Sequence, residues 1–220
     1  MASSNSALLS AGVSLYRRFG KRALDLAVAV PAVVVTAPVV AVAAAAVRVT
    51  MGGPVFFRQR RPGLQGEPFD VVKMRSMTNE RDAHGALLPD EQRLTALGAA
   101  LRRLSIDELP QLWNVIEGSM SIVGPRPLLM RYLERYSPEQ ARRHDVKPGI
   151  TGWAQVNGRN TISWDDKLRF DVWYVDHVSF AVDVGILAKT ALRVLKRDGI
   201  SAGGHATMPE FMGTATRSAK

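Results

Sequence analysis

Leu26-Ala27-Val28-Ala29-Val30-Pro31-Ala32-Val33-Val34-Val35-Thr36-Ala37-Pro38-Val39-Val40-Ala41-Val42-Ala43-Ala44-Ala45-Ala46-Val47 is a run of 22 residues without a charge. As a straight helix it extends for roughly 33 Å at ~1.5 Å per residue, enough to cross the hydrocarbon core of a bilayer. It starts too late and runs too long for the apolar region of a secretory signal peptide, so it reads as mature chain. Two features argue against a simple crossing. Pro31 and Pro38 lie inside the run, and an interior proline removes a backbone hydrogen bond and crowds the carbonyl four residues back. The flanks are basic on both sides, with Arg17, Arg18, Lys21 and Arg22 before the run and Arg48, Arg58, Arg60 and Arg61 after it. The excess of Lys and Arg on cytoplasmic loops then places both flanks on the same side. A helix-break-helix that dips into one leaflet and returns satisfies both features, with Thr36 available to re-satisfy a freed carbonyl. A kinked transmembrane helix is the alternative, because proline is common in spanning helices.

The remainder of the chain is charged and globular in character. The 220 residues carry 29 Lys+Arg against 20 Asp+Glu, a formal net charge of +9. That balance favours anionic partners: nucleic acid, anionic lipid or phosphorylated substrates. The absence of cysteine excludes disulfide frameworks, zinc–thiolate sites and cysteine nucleophiles. Four histidines without paired spacing argue against a zinc hydrolase site.

The organisation reads as residues 1–20, an N-terminal segment; 21–50, the membrane dip; 51–200, a globular domain; and 201–220, a Gly/Ala/Ser/Thr-rich tail. Val55–Phe57 and Phe69–Met74 read as short strands around a Pro62-Gly63 loop. Residues 79–90 read as a surface loop. Helices are expected from Asp90 to about Arg103, from Ser105, after Pro127, and from Ser137, with Ser as cap and Pro138 at the first helical position. Thr151–Val156 reads as extended, closed by an Asn157-Gly158 turn. The stretches 164–177 and 182–197 read as helical, the latter with Val184, Leu187, Ala188, Ala191 and Leu195 as its apolar stripe. The expected class is an α-rich α/β fold with a small β component and amphipathic interfacial helices.

Three clusters could carry chemistry. In Arg102-Arg103-Leu104-Ser105-Ile106-Asp107-Glu108-Leu109-Pro110, Ser105 and Glu108 have the spacing of a capping box, which explains both without any function. The other reading is an adjacent carboxylate pair beside two guanidiniums. Neighbouring helical residues point about 100° apart, so one carboxylate could bind a divalent cation while the other attacks phosphorus. In Gly124-Pro125-Arg126-Pro127 two prolines pin the backbone around Arg126, giving either a rigid turn with a surface arginine or a phosphate clamp. In Asn157-Gly158-Arg159 the arginine is either solvated or reads a diphosphate. Trp153, Trp164 and Trp173 read as core or membrane-interface residues. No P-loop, dinucleotide fingerprint or nucleophile elbow is present.

In order, the motifs become specific. Lys21-Arg22 opens the apolar run containing Ala37-Pro38. Then come Gly53-Pro54-Val55-Phe56-Phe57-Arg58-Gln59-Arg60-Arg61-Pro62-Gly63 and Phe69-Asp70-Val71-Val72-Lys73-Met74-Arg75-Ser76-Met77. Leu104–Val115, Ser121–Pro127 and Lys147–Arg159 follow. This order resembles the bacterial sugar transferase family, the monotopic polyprenyl-phosphate phosphoglycosyl transferases, over roughly residues 18–213. The short chain resembles the small form of the family. Its ending, Gly204-His205-Ala206-Thr207 through Phe211, resembles the branch that transfers diacetylbacillosamine-1-phosphate in protein glycosylation.

The resemblance implies that a UDP-sugar gives its sugar-1-phosphate to undecaprenyl phosphate and releases UMP, through a covalent phosphosugar-enzyme intermediate. It implies Asp107 as nucleophile and Glu108 as ligand of a Mg²⁺ cofactor. Arg102, Arg126 and Arg159 would surround the phosphates, with Lys73 nearby. It also implies a re-entrant helix in one leaflet of the bacterial inner membrane, with the catalytic domain on the cytoplasmic face. Ala37 and Pro38 mark the expected break. The family has Ser where Ala37 stands, so a carbonyl-capping hydroxyl is missing here. The acetamido sugar rests on the tail alone. Two rivals make different products. A non-catalytic membrane-anchored module binding anionic lipid would show salt-sensitive binding and no nucleotide product. A transferase moving only the sugar would release UDP. Nothing resembling a recognition helix or an aromatic-basic RNA signature is visible, so no nucleic-acid partner is expected.

Overall fold

A computed structural model of the chain describes residues 15–158, 162–196 and 210–213. The apolar run lies within one long helix, α1 (Lys21–Met51), entered through a wide helical turn at Tyr16–Gly20. Alanine has the highest helix propensity, and the nine alanines of the run offset its many β-branched valines. Pro31 and Pro38 sit inside α1 without interrupting it, so the break expected at Ala37-Pro38 is not an interruption of the helix. Nor does Thr36 repair the proline defect. Its hydroxyl donates to the carbonyl of Ala32 at 2.7 Å, whereas Pro38 deprives the carbonyl of Val34.

The buried positions of α1 are Asp25, Ala29, Ala43 and Val47. Between them Ala32, Val33, Thr36 and Val40 are half-buried, and the whole set recurs every three or four residues. That is one helical stripe, and it runs the length of the element. Ala29 packs into a core with Val71, Val115, Ile122 and Tyr174. Ala43 and Val47 pack into a second core with Met74 and Leu101. Val34, Val35 and Val42 on the other faces are about 70% exposed (69%, 75% and 72%).

Both ends of α1 are tied down by polar groups. Asp25 Oδ1 accepts from Ser121 Oγ at 2.8 Å and from the Ile122 amide at 2.9 Å. Lys21 Nζ donates to the Val123 carbonyl at 2.7 Å and to Asp183 at 2.8 Å. At the other end the buried Arg75 guanidinium donates to the carbonyls of Gly53 at 2.9 Å, Gly52 at 2.6 Å and Met51. A cation at a helix C-terminus satisfies otherwise unpaired carbonyls and complements the helix dipole.

Beyond α1, β1 (Phe56–Pro62) and β2 (Pro68–Met74) form an antiparallel hairpin, with Phe56 opposite Met74 and Pro62 opposite Pro68. The expected helix from Asp90 is two pieces, α2 (Asp90–Arg93) and α3 (Ala96–Arg103). The Thr95 hydroxyl caps α3 by accepting from the Gly98 amide at 2.9 Å, which restarts the helix in a new direction. The segment from Ser105 is a tight 3₁₀ turn, Ile106–Glu108, followed by α4 (Gln111–Glu117). Then come β3 (Ser121–Val123), a 3₁₀ segment at Met130–Arg135, and α5 (Pro138–Ala141), where Ser137 and Gln140 form a complete capping box. β4 (Gly149–Thr151) pairs in parallel with β3. Trp153–Val156, expected as extended, instead begins a short helix, α6 (Trp153–Asn157).

Two longer helices, α7 (Trp164–His177) and α8 (Phe180–Lys196), close the described fold. On α8 the buried residues are Asp183 and Ile186, while Val184, expected in the apolar stripe, is exposed. The inward side is chosen by Asp183, which accepts from Tyr16 at 2.5 Å and Tyr174 at 2.7 Å as well as from Lys21. Trp153 and Trp173 are half-buried and stack at 4.2 Å between α6 and α7.

Candidate active site

Asp107 and Glu108 lie on the 3₁₀ turn between α3 and α4. Ser105 ahead of them adopts a left-handed conformation, φ 54°, and caps nothing with its side chain. The capping-box reading of Ser105 and Glu108 therefore fails. Glu108 is drawn elsewhere: Lys73 Nζ reaches its Oε1 at 2.7 Å. Arg126 Nη1 lies 3.2 Å from its Oε2, and Arg126 Nη2 also binds Oε1. Lys73 comes from β2 and Arg126 from the loop after β3, so two separate elements converge on a carboxylate carried by a third. Burial pushes the Glu108 carboxyl up, but Arg126 and Lys73 outweigh it and hold the group down at about 2. Glu108 is thus an ionised acceptor across the physiological range.

Asp107 has the opposite environment. Its residue is 9% exposed. Burial, and then the neighbouring Glu108 charge, push its carboxyl above the ordinary aspartate value, with Lys73 and Arg102 pulling back. Arg102 lies in the last turn of α3, and its Nε donates to Ser76 Oγ at 2.8 Å. Asp107, Glu108, Lys73, Arg102 and Arg126 are therefore neighbours in space as well as in motif order. Arg159 lies outside the described residues. Ala37 and Pro38 are both exposed on α1.

Supporting residues escape a reading of the sequence because their partners are distant in the chain. Asn114 is 1% exposed. Its Oδ1 accepts from the Val72 amide at 3.0 Å and its Nδ2 donates to the Asp70 carbonyl at 2.9 Å. This locks α4 against β2, the strand that carries Lys73. Arg143 forms a buried pair with Asp171 at 2.7 Å, with side chains 1% and 3% exposed. The same Arg143 donates to the backbone carbonyl of Arg126 at 2.8 Å. The proline-flanked arginine is thus held from behind by a buried cation. A pocket opens in front of this assembly, lined by Arg61, Lys73, Gln111 and Arg126 with Val71 and Pro127. Among the described residues no group of three or more His, Asp and Glu side chains gathers to form a self-sufficient metal cage.

The chain matches the family described as bacterial sugar transferase over residues 16–197. It is 55% identical over 194 residues to the uncharacterized sugar transferase EpsL of Bacillus subtilis (strain 168), spanning 88% of this chain and 96% of that protein. It is 43% identical over 170 residues to the UDP-glucose:undecaprenyl-phosphate glucose-1-phosphate transferase of Xanthomonas campestris pv. campestris. It is 37% identical over 185 residues to the UDP-N-acetylgalactosamine-undecaprenyl-phosphate N-acetylgalactosaminephosphotransferase of Aeromonas hydrophila. The matches cover 72% and 80% of this chain but only 35% and 44% of those two longer proteins. Agreement across nearly the whole of the described fold, with a relative of the same size at 55% identity, shows that this chain is a transferase enzyme belonging to the bacterial sugar transferase family.

Proposed function

We propose that this chain transfers a sugar-1-phosphate from a UDP-sugar to undecaprenyl phosphate through a covalent intermediate on Asp107. The observation that carries this reading is the division of labour between adjacent carboxylates. Glu108 is saturated by Lys73 and Arg126, whereas Asp107 is desolvated beside it, which raises the basicity of its oxygens. In the first step an Asp107 oxygen bonds to the sugar-bearing phosphorus of the donor. The bridging bond to UMP breaks, and UMP leaves with the electron pair. In the second step a phosphate oxygen of the lipid attacks the same phosphorus. The Asp107–phosphorus bond breaks, releasing the lipid diphosphosugar and restoring the carboxylate. Arg126, Lys73 and Arg102 offset the repulsion between an anionic nucleophile and anionic phosphates. Arg159 would join them.

Glu108 is the residue that would hold a magnesium ion, and Lys73 and Arg126 occupy its carboxylate here, so the ion would have to displace one of them. Glu108 is ionised, and magnesium sites commonly use one or two carboxylates and complete their shell with substrate phosphates and water. When bound, it would neutralise charge developing on the phosphate oxygens.

The membrane reading is monotopic: α1, uninterrupted at Ala37-Pro38, is embedded in one leaflet, with the domain on the cytoplasmic face of the bacterial inner membrane. It is supported by α1, whose two halves both pack on the same globular body. A helix crossing the bilayer upright would carry its far half away from a body on one side. The exposed valines of α1 would face lipid, placing the carboxylates at headgroup depth, where a soluble donor meets a lipid acceptor.

We assign the sugar to the N-acetylated amino class. The support is the resemblance of residues 204–211, of which Glu210 and Phe211 are described. Phe211 carries the packing. It is 2% exposed and its amide donates to Tyr132 Oη at 3.2 Å, so the tail returns to the domain. Gly204–Thr207 lie outside the described residues.

The test is nucleotide release. Purified protein in detergent, with Mg²⁺ and undecaprenyl phosphate, meets a panel of UDP-sugars. UMP that depends on the acceptor, from an acetamido sugar, is the expected result, and Asp107→Asn abolishes it without unfolding the protein. Release of UDP would mean that only the sugar moves, and would discard the Asp107 mechanism.

A further inference from the structure

The pocket beside Glu108 contains two groups that the reaction above leaves unused. Gln111 is 3% exposed, and its Nε2 finds no acceptor although it is fully buried. Buried donors are almost always satisfied, so an orphan at the wall of a pocket points to a partner that arrives with a ligand. Arg61, from the end of β1, lines the same pocket. Its guanidinium donates to a neutral acceptor, Gln59 Oε1, at 2.5 Å. Among the described residues it forms no salt bridge, while Lys73 and Arg126 share Glu108.

Three cations, Arg61, Lys73 and Arg126, line the pocket; Glu108 binds two of them and the neighbouring Asp107 adds a second carboxylate, which leaves Arg61 as the cation without a carboxylate partner among the described residues. The guanidinium of Arg61 is pulled below its ordinary value, first by burial and then by repulsion from Arg126. An unfilled cluster of this kind is unfavourable alone and becomes favourable around an anion with several acceptor oxygens. A neutral amide donor next to arginines suits an acceptor-only ligand, and phosphate is such a ligand.

We propose that Arg61 and Gln111 form a phosphate-binding subsite beside Arg126, holding a phosphate group of a substrate while Asp107 reacts. This rests on the phosphosugar-transfer reading. The group belongs either to the diphosphate of the nucleotide or to the monophosphate of the lipid, and the two sources are separable.

Equilibrium binding of UDP and, separately, of farnesyl phosphate is measured on the full chain in detergent, for the wild type, Arg61→Met and Gln111→Leu. Arg61→Met weakens binding of one probe by about tenfold or more, the size expected for a lost charge-assisted hydrogen bond. Gln111→Leu weakens the same probe by about fivefold. Because Nε2 has no partner in the unliganded protein, Gln111→Leu leaves the melting temperature unchanged or raises it. A purely structural glutamine would lower it. Weakened UDP with unchanged farnesyl phosphate assigns the subsite to the donor, and the reverse assigns it to the acceptor. Wild-type binding of UDP or farnesyl phosphate with both variants within twofold overturns the subsite alone. A wild type that binds neither probe overturns both the subsite and the transfer reading.

Discussion

Arg126 clasps Glu108 with both terminal nitrogens, while Lys73 holds the same carboxylate from strand β2 at 2.7 Å. The triad therefore fixes the distance between the hairpin, the carboxylate turn and the loop after β3. Glu108→Gln removes the carboxylate that both cations bind and leaves them repelling each other. We expect kcat/KM to fall by about two orders of magnitude or more, the scale seen when a charge-stabilising group is lost. Arg126→Lys keeps the charge but loses the fork, and is expected to cost about tenfold. Steady-state UMP release measures both. Wild-type rates in Glu108→Gln would show that the triad is only structural.

Arg143 and Asp171 make a sharper case because both are buried. Removing one partner strands a charge, and Arg143→Met or Asp171→Leu should each destabilise the fold by about 3–5 kcal/mol. The double variant removes both charges and should recover much of that loss. It cannot restore the hydrogen bond to the Arg126 carbonyl, so activity should stay depressed while the melting temperature recovers. Parallel recovery of both quantities would show that Arg143 acts on stability alone.

Asn114 serves β2 in the same way. Asn114→Leu leaves the Val72 amide and the Asp70 carbonyl without their partner, at about 1–3 kcal/mol for each unsatisfied group. With about 2–4 °C per kcal/mol for a chain of this size, a fall of several degrees in melting temperature is expected. Turnover should fall further than stability explains, because β2 carries Lys73. A differential scanning measurement beside the UMP assay separates the two effects.

His144 gives the fold an acid limit. Burial, and then the adjacent Arg143, push its imidazole down to about 4. The unfolded chain binds the proton near the ordinary histidine value of about 6.5, so it gains protons first as pH falls. Stability from neutral His144 is therefore full above about pH 6.5 and is lost as pH drops toward 4. At 1.36 kcal/mol per pH unit the loss approaches about 3 kcal/mol. Denaturant titrations at pH 7 and pH 4.5 should show it, and His144→Asn should flatten that part of the profile.

Local chemistry was legible in this sequence, and long-range geometry was not. The Pro62-Gly63 hairpin, the Ser137 cap and the helix from Trp164 follow from signals within a few residues. The Ser105/Glu108 spacing misled for the same reason, since a local rule cannot anticipate that Lys73 and Arg126 capture Glu108 from other elements. β3 and β4 have three residues each, too short for any alternation to register. Trp153–Val156 contains β-favouring residues but forms a helix after Gly152, which packs against the backbone of Gly124. The motif order drew attention to Asp107, Glu108, Lys73, Arg102 and Arg126. Asn114 and Gln111 stood inside the Leu104–Val115 motif with no role read for either, and Arg143 showed no signal, because a buried polar residue is defined by partners elsewhere in the chain.

Gly98 tests how closely α3 must approach the hairpin. A Cβ at this position would lie 1.8 Å from the Ser76 carbonyl oxygen and 2.7 Å from its carbon. Both atoms are backbone, so no side chain can rotate out of the way. Gly98→Ala would gain helix propensity of about 1 kcal/mol in an open helix. Here the clash reverses that sign, because α3 or the chain after β2 must shift. Overpacking of this kind costs about 1–3 kcal/mol, so net destabilisation is expected. Ser76 also receives Arg102 Nε at 2.8 Å, so the shift moves an arginine that faces Asp107. The expected result is a lower melting temperature together with a rise in the apparent KM for the UDP-sugar. A stabilised Gly98→Ala protein with unchanged kinetics would mean that α3 packs less tightly on Ser76 than this geometry requires.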